Sequence, residues 1–286
     1  MTRSGLGGAS NTCARAVVVR LFRMKTDVLT RMTRWLLVGG SSALLVLSSA
    51  CGGGSANRFA GLTAEELFAQ ATERFEAGDH GEAIQMLDRI LIAYGDWSGI
   101  PDARLMLGNV YFDRGDFLTA RSEYTRFIDR YAGHPRSGEA ALGVCKSLAA
   151  LAPNPNRDQA YTQEAISSCR NVVIDFTGNT ASAEAARIAN ELRFTLAEKE
   201  FLTGEFYFRR QLWDAAIKYY EFVANLYPES DYAAPALLGV YRANMEIGYD
   251  DLADAARELL LQRYPDSAAA AELTTEIAGE SGGDRG

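Results

Sequence analysis

The sequence predicts an all-α fold, an α-solenoid of about five helix-turn-helix repeats, and three observations predict it. Five segments close alike, with an apolar run ending on an aromatic: Ile90-Leu91-Ile92-Ala93-Tyr94, Phe127-Ile128-Asp129-Arg130-Tyr131, Val172-Val173-Ile174-Asp175-Phe176, Phe222-Val223-Ala224-Asn225-Leu226-Tyr227 and Leu259-Leu260-Leu261-Gln262-Arg263-Tyr264. The closing aromatics stand 37, 45, 51 and 37 residues apart, a period at which one helical pair per repeat stacks on the next. Each follows about 14 residues with apolar positions at intervals of three and four, the mark of an amphipathic helix. A turn (Gly78-Asp79, Gly115-Asp116, Gln211-Leu212 or Gly248-Tyr249) separates most of them from a second amphipathic helix upstream.

At the start of the chain, basic residues scattered from Arg3 to Arg34 precede an apolar stretch, Trp35 to Ala50, and then Cys51. That is the layout of a secretory signal peptide. The end, Ser49-Ala50-Cys51, resembles a bacterial lipobox, with Leu47 one place further from the cysteine than usual. The resemblance implies cleavage after Ala50 and acylation of Cys51, so that the protein is exported and held on a membrane by lipid. A plain membrane span is the competing reading. Its 16 residues, with Gly39-Gly40 and four serines, fall short of the ~20 apolar residues a span requires. Residues 1–50 are therefore read as a signal peptide. Within it, 1–31 are a misassigned start or an extended n-region, Met24 and Met32 being alternative starts.

Gly52-Gly53-Gly54-Ser55-Ala56-Asn57 makes 51–60 a flexible lipidated tether. The solenoid is expected over 61–272, and a disordered tail over 273–286, polar and glycine-rich from Gly279. Within the solenoid, Pro153-Asn154-Pro155-Asn156 breaks the third repeat with a loop, because proline cannot continue a helix. Between Ala181 and Arg209 only Gly204 interrupts, which predicts one helix of about 30 residues bridging repeats three and four.

Seven basic residues and one acidic one fall in 1–50, leaving 22 basic and 36 acidic side chains from Cys51 onward, a net charge of −14. Such a surface repels phosphate backbones, and no nucleic-acid partner is expected. Cys145 and Cys169 remain once Cys13 and Cys51 are set aside. They are either a disulfide, as an oxidising compartment permits, or two small buried residues on facing helices.

The spacing is similar to the tetratricopeptide repeat, with small residues where paired helices approach. Leu107, Gly108, Tyr111, Gly115, Ala120 and Tyr124 match in repeat two, and Gly204, Tyr207, Ala216, Tyr220 and Pro228 in repeat four. Repeat one keeps Gly78 and Ala83, repeat three Ala165 and Cys169, and repeat five Gly248, Ala253 and Pro265 with Tyr241 at a small position. In that pattern the first helices line a groove, here Phe68, Thr72 and Phe75 from repeat one and Leu105, Asn109 and Phe112 from repeat two. Rings that fill pockets and an amide that can hold a backbone suit an extended peptide. The alternative is that the three phenylalanines belong to the core between repeats.

A lipobox followed by five degenerate repeats resembles the BamD (ComL/YfiO) family of outer-membrane assembly lipoproteins. The resemblance is most specific over Glu198-Lys199-Glu200-Phe201, Phe206-Tyr207-Phe208-Arg209-Arg210, Trp213-Asp214-Ala215-Ala216 and Tyr227-Pro228-Glu229-Ser230. Leu67-Phe68-Ala69-Gln70-Ala71 and Tyr264-Pro265-Asp266-Ser267 look similar too. It implies a subunit of the β-barrel assembly (BAM) machine at the outer membrane, facing the periplasm. Its partners would be the periplasmic domains of an Omp85-type barrel subunit, unfolded outer-membrane proteins and other lipoproteins of the complex. Tyr207, Trp213, Tyr219 and Tyr241 would form the docking surface for the barrel subunit, Trp213 being the single aromatic expected to be partly exposed. The alternative function is a scaffold for cell-wall or Tol-Pal-type envelope complexes.

No catalytic constellation is present. His80 and His134 both fall in inter-helix turns, no glycine-rich phosphate loop follows a strand, and the acidic residues spread along helix faces. The chain is expected to be no enzyme and to need neither cofactor nor metal.

Overall fold

The computed structural model describes residues 59–283, with side chains as far as Ala278. The signal peptide, its cleavage point after Ala50 and Cys51 lie outside the described residues, as does most of the tether. Eleven helices follow one another among the described residues. They are α1 (Ala64–Glu76), α2 (His80–Ala93), α3 (Ile100–Asp113), α4 (Phe117–Arg130), α5 (Ser137–Ala150), α6 (Ala160–Asp175), α7 (Thr180–Phe208), α8 (Trp213–Leu226), α9 (Ala233–Ile247), α10 (Asp250–Arg263) and α11 (Ala268–Gly283). Each packs on the next, and from α3 onward the odd-numbered helices also touch in succession, forming a layer on which the even-numbered ones lie. This is the all-α tetratricopeptide-like solenoid the repeat period predicts.

Local chemistry starts and stops these helices. Thr63 and Glu66 form a reciprocal capping box at α1, the Thr63 N–H donating to Glu66 Oε2 (2.8 Å) and the Glu66 N–H to Thr63 Oγ1 (3.2 Å). Asp79 caps α2 by accepting from the Glu82 N–H, and Asn179 caps α7 by accepting from the Ala181 N–H. The five repeat-closing aromatics, Tyr94, Tyr131, Phe176, Tyr227 and Tyr264, prove to be the five C-caps of the second helices. Each leaves helical geometry while its N–H still bonds four residues back. The Tyr94 hydroxyl then donates to the Leu62 carbonyl (2.6 Å) and that of Tyr264 to the Pro228 carbonyl (2.7 Å), tying a helix end to the chain upstream. The sequence signature is thus a chain-reversal device as well as a packing residue.

The core is a row of clusters. Leu105, Ala120, Tyr124, Phe127 and Ala140 join α3, α4 and α5. Ala185, Ile188, Ala189 and Leu192 of the first half of α7 pack with Leu148, Ile166 and Val172 of α5 and α6. Ala197 of its second half belongs to a cluster with Tyr220, Val223, Leu237 and Leu260. The 29-residue α7 therefore serves two repeats, one half each. Cys145 of α5 and Cys169 of α6, both fully buried, are joined by a disulfide with Cα atoms 4.9 Å apart. It closes the segment holding the Pro153–Asn156 loop. For a loop of that length, restricting the unfolded chain contributes about 3 kcal/mol. Gln159 organises the same loop from inside: its Nε2 donates to the carbonyls of Asn154 (2.9 Å) and Arg157 (3.0 Å), and its Oε1 accepts from Thr162 (2.6 Å).

The carboxy-terminal boundary differs from expectation. Helix α11 runs to Gly283, where a disordered tail was expected from residue 273. Leu273 is fully buried and Ile277, four residues on, packs on the same cluster, so one face of α11 caps the solenoid. Arg242 of α9 fastens it by pairing with Glu272 (2.6 Å) and Glu276.

Candidate functional site

The six residues expected to line a groove do not behave as one surface. Leu105 is 0% exposed, a core residue of α3, which corrects its assignment to the groove. The repeat pattern places it one turn from Asn109, but the ring of Tyr124 and the side chain of Phe127 close over that turn. Phe68 is half-buried against Trp97 (ring centroids 5.5 Å), Phe75 against His80 (6.1 Å) and Phe112 edge-on to Phe117 (5.3 Å). Thr72 turns its hydroxyl back to the Phe68 carbonyl (2.8 Å), beside the Met106 sulfur (3.7 Å). The Asn109 amide oxygen accepts from the Tyr124 hydroxyl (2.7 Å). Its NH2 group and one oxygen lone pair remain for a ligand. The three phenylalanines thus pack on neighbours while keeping part of each ring in solvent.

The histidines act structurally. His80 Nε2 lies 2.8 Å from Asp113 Oδ2, linking the start of α2 to the end of α3. His134 stands edge-on to Phe127 (5.4 Å), and its Nδ1 accepts from the Arg136 N–H (3.2 Å). Among the described residues no group of His, Cys, Asp and Glu could hold a metal ion.

The carboxy-terminal half presents a different surface. Tyr207 and Tyr219 stack in parallel (5.4 Å, 13°), Phe208 meets Trp213 edge-on (4.9 Å), and Phe206 meets Tyr207 edge-on (5.3 Å). Burial, then Tyr207 and Glu200, pushes the Tyr219 phenol above its ordinary value. Trp213 is half-buried on Phe208, and other aromatics are more exposed: Phe206 at 41%, Phe222 at 43% and Tyr249 at 54%. Tyr241, expected on this surface, is buried in the core below it. It occupies a position meant for a small residue, so its ring fills the space between helices.

One feature here had no sequence signal. The Pro155-Asn156 loop faces the second half of α7, and together they line a groove of about 440 Å3 with Lys199, Leu202, Thr203, Phe206 and Arg209. Arg210 lies over the Phe206 ring, 3.7 Å from its centroid, holding it upright by a cation–π contact. Proline and asparagine forecast the break in the helices; they carry no information on where the loop would land. Two apolar side chains beside two cations make a surface for an apolar segment bearing negative charge.

The family described as YfiO, outer membrane lipoprotein, matches residues 61–259. An "Outer membrane protein assembly factor BamD" of Caulobacter vibrioides is 24% identical over 231 residues, covering 78% of this chain and 75% of the relative. One of the same description from Xylella fastidiosa (strain 9a5c) is 24% identical over 204 residues, with 71% and 61% covered. Among solved structures, the TPR2AB-domain:pHSP90 complex of yeast Sti1 is similar at a TM-score of 0.44 and 16% identity, covering 76% of this chain and 84% of that one.

Proposed function

Since the chain belongs to the YfiO family of outer membrane lipoproteins, we propose that it is a non-enzymatic adaptor of outer-membrane protein assembly, anchored by lipid at Cys51 and facing the periplasm. The observation that carries the reading is the family match across 61–259, which spans four of the five repeats and most of the fifth. Relatives described as assembly factors support the process. The partners proposed are the periplasmic domains of an Omp85-type barrel subunit and unfolded outer-membrane proteins.

The two halves suit two tasks. The half-buried rings of Phe68, Phe75 and Phe112 offer shallow sockets for the aromatic side chains of an extended segment. The groove of Leu202 and Phe206, flanked by Lys199 and Arg209, offers the barrel subunit an apolar centre with charged margins, the usual anatomy of a protein interface.

Affinity purification of the tagged full-length chain from detergent-solubilised envelope, followed by mass spectrometry, tests the reading. Near-stoichiometric recovery of an Omp85-type protein is expected, and it should fall when Phe206→Ala and Leu202→Ala are combined. Recovery of wall enzymes or Tol-Pal components in its place would overturn the assignment. Cys51→Ala is expected to move the chain from the membrane fraction to the soluble fraction of the envelope.

A further inference from the structure

A second pocket, of about 470 Å3, is lined by Arg104 of α3 with Arg126, Asp129 and Arg130 of α4. It shares no residue with the surfaces above, and it gathers three arginines on a chain of net charge −8. We propose that it is a binding site for a single carboxylate carried on a peptide segment.

Three observations lead there. Arg104 is mostly buried and donates through Nη1 to the buried Glu123 (2.8 Å), but its buried Nε has no hydrogen-bond partner. A guanidinium offers Nε and one Nη as a parallel pair that matches the two oxygens of a carboxylate, and here Glu123 takes up only the other nitrogen. Arg126 also reaches Glu123 (2.5 Å), so the buried carboxylate holds two guanidinium groups close together, with Arg130 on the next turn of α4. The charge count selects the ligand. Three guanidinium groups stand against Glu123, Asp129 and Asp88, whose carboxyl is pushed up by burial and then by Glu123, so the cluster compensates at most a monoanion and leaves a phosphate dianion uncompensated. The volume is far larger than a carboxylate alone and leaves room for the group that carries it. None of this depends on the adaptor reading.

The test labels the arginines of the full chain with 15N in detergent micelles and follows their Nε–H signals during titration. The probes are a blocked Ala-Glu-Ala tripeptide, its Ala-Gln-Ala analogue, acetate and inorganic phosphate. The glutamate peptide is expected to move the Arg104, Arg126 and Arg130 signals together, and the glutamine peptide to leave them in place. Arg130→Gln, an exposed change that spares the fold, should weaken the effect about two- to fivefold. No movement by about 10 mM glutamate peptide would overturn the site. Equal movement with the glutamine peptide, or a response to phosphate alone, would overturn the carboxylate, and equal movement with acetate would overturn the peptide.

Discussion

In repeat two the ring of Tyr124 lies between Gly108 and Gly143; in repeat four the ring of Tyr220 lies between Gly204 and Gly239. A β-carbon on any of the four glycines would come within 2.6 to 2.7 Å of the ring. Each tyrosine then donates its hydroxyl to the side chain just after the first glycine. In repeat two that is the neutral Asn109 oxygen (2.7 Å), and in repeat four the Glu205 carboxylate (2.5 Å). The backbone device is the same and the closing group is not. Repeat two spends its groove amide on its own core. Repeat four closes with a carboxylate that also lies 3.7 Å from Arg209, and its next residue, Phe206, stays outward under Arg210. The residue after the closing group is thus the exposed Phe206 in repeat four and the buried Val110 in repeat two.

Emptying either clamp is the harshest way to break this comparison. Tyr220→Ala and Tyr124→Ala should each cost about 4 kcal/mol in urea unfolding, because a buried ring is removed between elements that cannot close the gap. A much smaller loss in one repeat would mean that the two clamps are not equivalent. Filling the clamp comes next. Gly239→Ala and Gly108→Ala should each cost about 2 to 3 kcal/mol, since the glycine opposite stops the ring from retreating.

Removing only the hydroxyl separates the two repeats. Tyr124→Phe should cost about 1 kcal/mol and Tyr220→Phe about 2 kcal/mol, the bond to a carboxylate being the stronger. Alkaline unfolding gives the same comparison through pH. Burial first, helped by Glu139 at Tyr124 and by Glu205 at Tyr220, pushes both phenols well above their ordinary value. The fold thus favours the protonated phenols, and their contribution is complete below pH ~10 and lost as the pH rises above it. The two phenylalanine variants should show a shallower alkaline loss by circular dichroism. An unchanged profile would mean other groups govern it.

The gentlest test concerns the turns. Repeat two turns at Gly115 with φ +86°, and repeat four turns at Gln211 with φ +60°, the one non-glycine residue with positive φ among those described. A side chain in left-handed geometry costs roughly 1 to 2 kcal/mol, so Gln211→Gly should raise stability by up to about 1 kcal/mol. A loss would show that the Gln211 side chain contributes something glycine cannot replace.

The parts of this fold legible in the sequence are those that local chemistry repeats. Glycines at fixed distance from Tyr124 and Tyr220, aromatics at the ends of the second helices and an unbroken run from Ala181 to Arg209 each express a constraint within one or two helices. The family resemblance was carried by the same kind of local run around Phe206 to Trp213. The groove was legible only in part. A period assigns each residue to a face of its helix, yet Leu105 lies inward with Tyr124 and Phe127 and Tyr241 with Tyr220 and Val223, side chains of helices that the period does not place. The end of α11 escaped for a related reason: alanines and glycines carry little pattern, and Leu273 and Ile277 acquire meaning only once α9 and α10 stand beside them.

Local chemistry was enough for the helices, their pairing and their period, because hydrogen bonds, caps and glycine approaches act over a few residues. Tertiary structure alone decided where the Pro155-Asn156 loop meets Phe206, that Arg104 is buried against Glu123, and which aromatics stay in solvent. Those outcomes depend on distances between residues many positions apart, and such distances are set by the summed packing of several repeats rather than by any local pattern.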